Sequence, residues 1–220
     1  MKVVEPEFDI HCCWGFKLAE DILIQYDVCI IVDVLFFSTS IDLLLDTKEN
    51  TQNIPVAHHF IQPFSPEKLS IASPVGLPLQ LNLHKKTVLA GCLRNARAVA
   101  KAAMQLGNTV LVIPVGDKLS DEDFKTCSED FIAAGAIVSY LKGDRTAESN
   151  AALDIYNSSK GNIEEMVKLS SSARQMMMNG SLPEVELACQ FNKSKNVPLL
   201  EEGAWLNLAI PEYSPTPTGI

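Results

Sequence analysis

Residues 29–46 read CIIVDVLFFSTSIDLLLD, and the fold turns on how this stretch is divided. The segment from Val28 to Leu35 is apolar and rich in β-branched residues. Such a run suits a strand buried on both faces better than one alternating between core and solvent. Ser38, Thr39 and Ser40 then open an apolar segment reaching Asp46, and hydroxyl side chains are favoured helix caps. Strand, short turn and helix make the first half of a βαβ unit.

The pattern recurs outward along the chain. TVLAGC (Thr87–Cys92) reads as a strand, and NARAVAKAAMQLG (Asn95–Gly107) as a helix with Asn95 at its N-cap and Gly107 at its end. NTVLVIPVG (Asn108–Gly116) is the next strand. SEDFIAAGAIVSYL (Ser128–Leu141) is an apolar helix with acids in its first turn, and SDEDF (Ser120–Phe124) carries the same start signature. KLSIASP (Lys68–Pro74) reads as a strand ending at a Ser-Pro turn, LPLQLNL (Leu77–Leu83) as a strand or short helix, and VAHHFI as a short strand. ESNAALDIYN and IEEMVKLSSSARQMMMNG read as further helices, the second closed by Gly180, with Met176–Met178 as core filler. This alternation predicts a layered α/β/α fold with a mainly parallel sheet. One compact domain is expected over 1–210, with two structurally related halves an open alternative because each contains a strand, polar loop and helix. A Pro-rich, poorly ordered tail is expected at 211–220.

Composition narrows the partners. A 220-residue chain with 47% hydrophobic and 20% charged residues has enough apolar content for a sizeable core. The net charge of −9 and the lack of a basic block disfavour nucleic acid. No apolar run reaches the ~18 residues of a membrane span, and the six cysteines contain no C-x-x-C pair. A cytoplasmic protein with reduced thiols is the expectation; a homodimer is common at this size. His11-Cys12-Cys13 is too compressed for a zinc site, and phosphate-binding glycine loops and serine-hydrolase motifs are missing.

In open α/β sheets, ligands gather beyond the carboxyl ends of the strands. Those ends supply Asp33, Ser38 and Thr39, then Ser73 and Gly76, then Arg94 and Asn95, then Gly116 and Asp117. Helix N-termini near Ser38 and Asn95 favour an anion, and Arg94 adds a forked cation. Asp33 suits Mg²⁺, a hard ion preferring oxygen, and Glu129 and Asp130 add further carboxylates. Each residue also has a plain structural reading. Asp33 satisfies a turn, the hydroxyls cap a helix, the acids stabilise a helix start, and Arg94 pairs with a surface acid.

Five segments together resemble the 2-phosphosulfolactate phosphatase (ComB-type) family: IIVDVLFFSTSID (Ile30–Asp42), IASPVG (Ile71–Gly76), LAGCLRNARAVA (Leu89–Ala100), SEDFIAAGAIVSYL, and SSARQMMMNG…NVPLLEEGAW (Ser171–Trp205). The resemblance implies parallel layered sheets and Mg²⁺-dependent hydrolysis of a phosphate monoester, the family's named substrate being 2-phospho-3-sulfolactate. It implies Asp33, Glu129 and Asp130 near the metal, and Ser38, Thr39, Arg94 and Asn95 near the anion. Three positions depart from the family pattern. Phe36 stands where an arginine follows Asp-Val-Leu, Val75 replaces the asparagine of an Asn-Gly turn, and Cys13 replaces an acid before Trp-Gly. These changes weigh against the named substrate and leave a second reading, a non-catalytic paralogue binding a small anion or protein partner. Retained features outnumber lost ones. The expectation is therefore a hydrolase of a small phosphorylated or sulfonated acid, with Asp33, Arg94 and Glu129 catalytic. Ser38, Thr39, Ser73, Gly76, Asn95 and Gly116 would bind substrate, and Asp33, Glu129 and Asp130 would hold Mg²⁺.

Overall fold

A computed structural model describes residues 7–15, 19, 22–46, 61–65, 68–71, 87–118, 124–202 and 204–208. Its main sheet runs in the order β1 (Ile10–Cys12), β6 (Val110–Pro114), β2 (Val28–Val32), β5 (Thr87–Gly91), β9 (Pro198–Glu201), β10 (Ala204–Asn207), β4 (Lys68–Ile71), β3 (Ile61–Ser65). The first four strands pair in parallel. The remaining pairings are antiparallel, and β7 (Asp117–Lys118) with β8 (Phe124–Lys125) forms a separate ribbon. The sheet is thus mixed, and its parallel part is the part built from βαβ units.

The central strands are buried on both faces, as their unbroken apolar runs require. Val28, Ile30 and Val32 of β2, with Val110 and Val112 of β6, face one core, which also takes in α2 (Ala96–Leu106) and α3 (Ser128–Val138). Cys29, Ile31, Leu111 and Ile113 face the other, with Phe37, Ile41 and Leu44 of α1 (Phe37–Asp46) and with Trp205. Helices therefore cover both faces, and the layered α/β expectation holds.

Helix α3 is buried along almost its whole length, and α4 (Ala147–Ser159) packs against it. Gly135 permits that approach: a Cβ there would lie 2.0 Å from the Ala152 carbonyl oxygen. Outside these lie α5 (Ile163–Lys168), α6 (Ser171–Met178) and α7 (Leu182–Ala188).

Several local readings change. The first strand stops at Val32, and the helix starts at Phe37, one residue ahead of Ser38. The helix read over 163–180 is two helices, because Ser170 caps the second: its Oγ accepts the Ala173 amide at 3.2 Å. Met176 and Met177 pack on the core, but Met178 is 88% exposed. Phe124 lies in β8 rather than at a helix start. Ser73, Gly76, Val75, the segments VAHHFI (apart from Ile61) and LPLQLNL, and the tail 211–220 lie outside the described residues. All six cysteines are unpaired, and among the described residues no helix is long and apolar enough to cross a membrane.

Candidate active site

The carboxyl ends of β2 and β6 meet the start of α3, and acids converge there. Asp33 directly follows β2. Its Oδ1 accepts the Phe37 amide at 3.2 Å, at the first residue of α1. Asp130, in the first turn of α3, joins two turns at once. Its Oδ1 accepts the Val34 amide at 2.7 Å and its Oδ2 accepts the Gly116 amide at 2.9 Å. Gly116 is required there: its φ is +75°, and a Cβ would sit 2.3 Å from the Lys125 carbonyl oxygen. Glu129 is buried beside Asp130, receiving a long 3.5 Å bond from Ser128 Oγ.

Burial of like charges sets the protonation chemistry. Burial pushes Asp33 up to about 7, against the opposing Phe37 amide, and the charges of Asp117 and Glu129 add to the rise. Asp130 is also raised well above the carboxylate range, first by burial and then by Asp33 and Glu129, although two amides oppose the shift. Such carboxylates hold protons near neutrality unless a cation replaces them.

A polar rim adjoins the cluster. Ser172 Oγ donates to Asp117 Oδ2 at 2.7 Å, and Lys125 Nζ lies 3.5 Å from the same oxygen. Cys127 Sγ is 3.4 Å from Ser172 Oγ, and burial raises its thiol pKa, so it stays protonated. Trp14 stacks on Phe131 at 4.3 Å between ring centroids, forming an apolar contact at the start of α3.

The other candidates take local partners. Ser38 Oγ donates to the Ile31 carbonyl and accepts the Asp33 amide. Thr39 Oγ1 donates to the Val34 carbonyl at 2.8 Å. Asn95 Oδ1 accepts the Cys92 amide and Nδ2 donates to the Ala90 carbonyl, so Asn95 braces the turn after β5. Arg94 is turned inward. Its Nε donates to Asp42 Oδ2 at 2.8 Å, Nη1 donates to Gln190 Oε1 at 2.5 Å and to the Leu187 carbonyl, and Nη2 lies 3.5 Å from Asp46. Phe36, one of the three positions that the sequence reading set apart, packs against the core.

The geometry therefore brings Asp33, Glu129, Asp130 and Gly116 together. It gives Ser38, Thr39, Asn95 and Arg94 other partners. The sequence reading missed Lys125, Cys127 and Ser172, which carry no motif and come from distant segments. It also missed Asp42, a fully buried acid within an apolar helix; that placement alone calls for a buried cation. Among the described residues, no three His, Cys, Asp or Glu side chains form a ready cage for a metal. The donors present are nonetheless all carboxylate oxygens, and Mg²⁺ commonly takes one or two carboxylates plus water and substrate oxygens. His11, the lone imidazole among the described residues, bonds Tyr26 Oη through Nδ1 at 2.9 Å.

Comparison with known proteins gives the family. Residues 78–203 match the family model described as 2-phosphosulpholactate phosphatase. A 2-phosphosulfolactate phosphatase of Methanothermobacter thermautotrophicus is 29% identical over 119 residues, 54% of this chain and 50% of that protein. The matched region spans half the length of that relative. Glu129, Asp130, Arg94 and Gly116 fall inside the family match, whereas Asp33 precedes it.

Proposed function

This chain belongs to the 2-phosphosulfolactate phosphatase family, and from that premise we propose that it hydrolyses a phosphate monoester of a small organic acid at the acidic cluster around Asp33. The observation that carries the reading is the buried convergence of Asp33, Glu129 and Asp130 beyond the carboxyl ends of parallel strands. Like charges placed so close are unfavourable without a counter-cation.

Asp33 and Glu129 are the residues that would hold Mg²⁺. One oxygen of Asp33 is engaged by the Phe37 amide, and Glu129 makes only a weak contact with Ser128 among the described residues. Both oxygens of Asp130 are engaged by backbone amides, so Asp130 acts as a positioning residue that fixes the two turns. Bound there, Mg²⁺ would neutralise the carboxylates and polarise the phosphoryl oxygens. Lys125, at the rim beside Asp117, supplies the positive charge that faces the phosphate, in place of the inward-turned Arg94. The Trp14–Phe131 stack, next in sequence to Asp130, adds an apolar neighbour to the cluster and would limit the water around the ester.

The test is phosphate release from a panel of phosphorylated organic acids, 2-phospho-3-sulfolactate among them, with Mg²⁺ and with EDTA. Metal-dependent turnover that is lost on Asp33→Asn is expected. Equal turnover in EDTA, or no turnover of any ester, overturns the proposal. One observation favours a second reading, a non-catalytic anion-binding paralogue. Arg94 is committed to Asp42. Ligand-induced thermal stabilisation without hydrolysis would select that reading.

A further inference from the structure

A concavity lies on the solvent side of α2, and none of the clustered acids lines it. Its volume is about 340 Å³, and it is lined by Arg97, Ala98, Lys101, Asn192, Ser194 and Lys195. Three lining residues are cationic and none is acidic, in a chain whose net charge is −9. Arg97 and Lys101 are one helical turn apart, so they share a face and repel each other. Neither is ion-paired among the described residues. A like-charge pair kept at the edge of a concave surface is stabilised by a bound anion.

The walls are fixed before any ligand arrives. The Arg97 guanidinium lies over the Tyr140 ring, 5.4 Å from its centroid. Tyr140 Oη accepts from Asn192 Nδ2 at 2.9 Å, and Asn192 Oδ1 accepts the Arg97 amide at 2.9 Å, closing a ring of contacts. Asn192 adopts a left-handed backbone with φ 51°, anchored by its amide to the Leu93 carbonyl. The Ser194 amide donates to the Arg94 carbonyl. The Arg97 side chain is therefore pre-oriented by the segment that lines this concavity, which reduces the ordering needed on binding.

We propose that this cleft binds a small multivalent anion, a phosphate- or sulfonate-bearing organic acid, independently of the acidic cluster. The volume is at the lower end for small-ligand pockets. It suits a compact ligand held by charge and hydrogen bonds, and the acidic remainder of the surface disfavours a nucleic acid strand.

The experiment uses pyrophosphate as the probe, in EDTA at low ionic strength, with calorimetric titration and thermal melts of the full chain. Wild type and Asp33→Asn are expected to bind it equally. Arg97→Ala/Lys101→Ala should bind about tenfold or more weakly, and added salt should weaken binding. Lys101→Gln, at an exposed helical position, supplies the same test should the double variant fail to fold. The proposal is overturned by any of four results: no response in wild type, undiminished binding in the cleft variants, loss of binding in Asp33→Asn, or tighter binding of a single-stranded oligonucleotide than of pyrophosphate.

Discussion

Asp33 concentrates two effects in one carboxylate, and they can be separated by experiment. It caps α1 through the Phe37 amide and is held near pKa 7 by burial and acidic neighbours. In the pH range between the ordinary carboxylate value and 7, the folded chain retains a proton that the unfolded chain has released. Stability from this group therefore falls as pH rises through that range, and the penalty, a few kcal/mol at most, is complete only above about 7. Metal-free wild type should lose melting temperature between pH 5 and 8. Asp33→Asn, which keeps the capping oxygen, should flatten that slope. Mg²⁺ should restore wild type at pH 8 and leave the variant unchanged, as read by melts with and without EDTA. The same variant should lower phosphatase turnover by about 10²-fold or more. Asp33 was legible in the sequence because it ends an apolar run. The roles of Ser38 and Thr39 were not, since a hydroxyl that caps or braces a turn has the same sequence signature as one that binds phosphate.

At the level of elements, Asp130 connects α3 to the turns after β2 and β6. Asp130→Ala leaves the Val34 and Gly116 amides buried without acceptors. The expected loss is about 2–4 kcal/mol, measured by urea unfolding. Asp130→Asn should fall between, because its oxygen accepts one amide while its NH₂ opposes the other. Gly116→Ala meets both an unfavourable φ and the Lys125 carbonyl and should destabilise by more than ~1 kcal/mol in the same assay. The parallel strands and α2 and α3 were legible because long apolar periodicity and capping signals agree there. The β9–β10 hairpin was not, because four-residue strands interrupted by Glu201 and Glu202 give little pattern. The break between α5 and α6 was hidden for a different reason: one serine among three in a row becomes a cap only when the chain turns.

At the level of the whole molecule, Arg94 and Asp42 tie the turn after β5 and α1 to the C-terminal segment. Arg94 is 4% exposed and Asp42 fully buried, while Gln190 and the Leu187 carbonyl take Nη1 and Asp46 lies 3.5 Å from Nη2. Removing one member of such a pair strands the other in a low-dielectric interior. Arg94→Met or Asp42→Leu alone should therefore cost about 3–5 kcal/mol. Burial already raises the pKa of Asp42, with Ser194 and Arg94 opposing the rise. Without Arg94 it rises further, so Arg94→Met should be less destabilised at pH 5 than at pH 8, where Asp42 must ionise. The double variant Arg94→Met/Asp42→Leu replaces both charges with apolar volume and should recover much of the loss, read as a coupling in a double-mutant cycle. Turnover per folded molecule then separates the two roles this arginine can have. If Arg94 ties the fold together, the refolded double variant retains turnover within a few-fold of wild type. If Arg94 contacts the phosphate, the double variant folds and remains inactive.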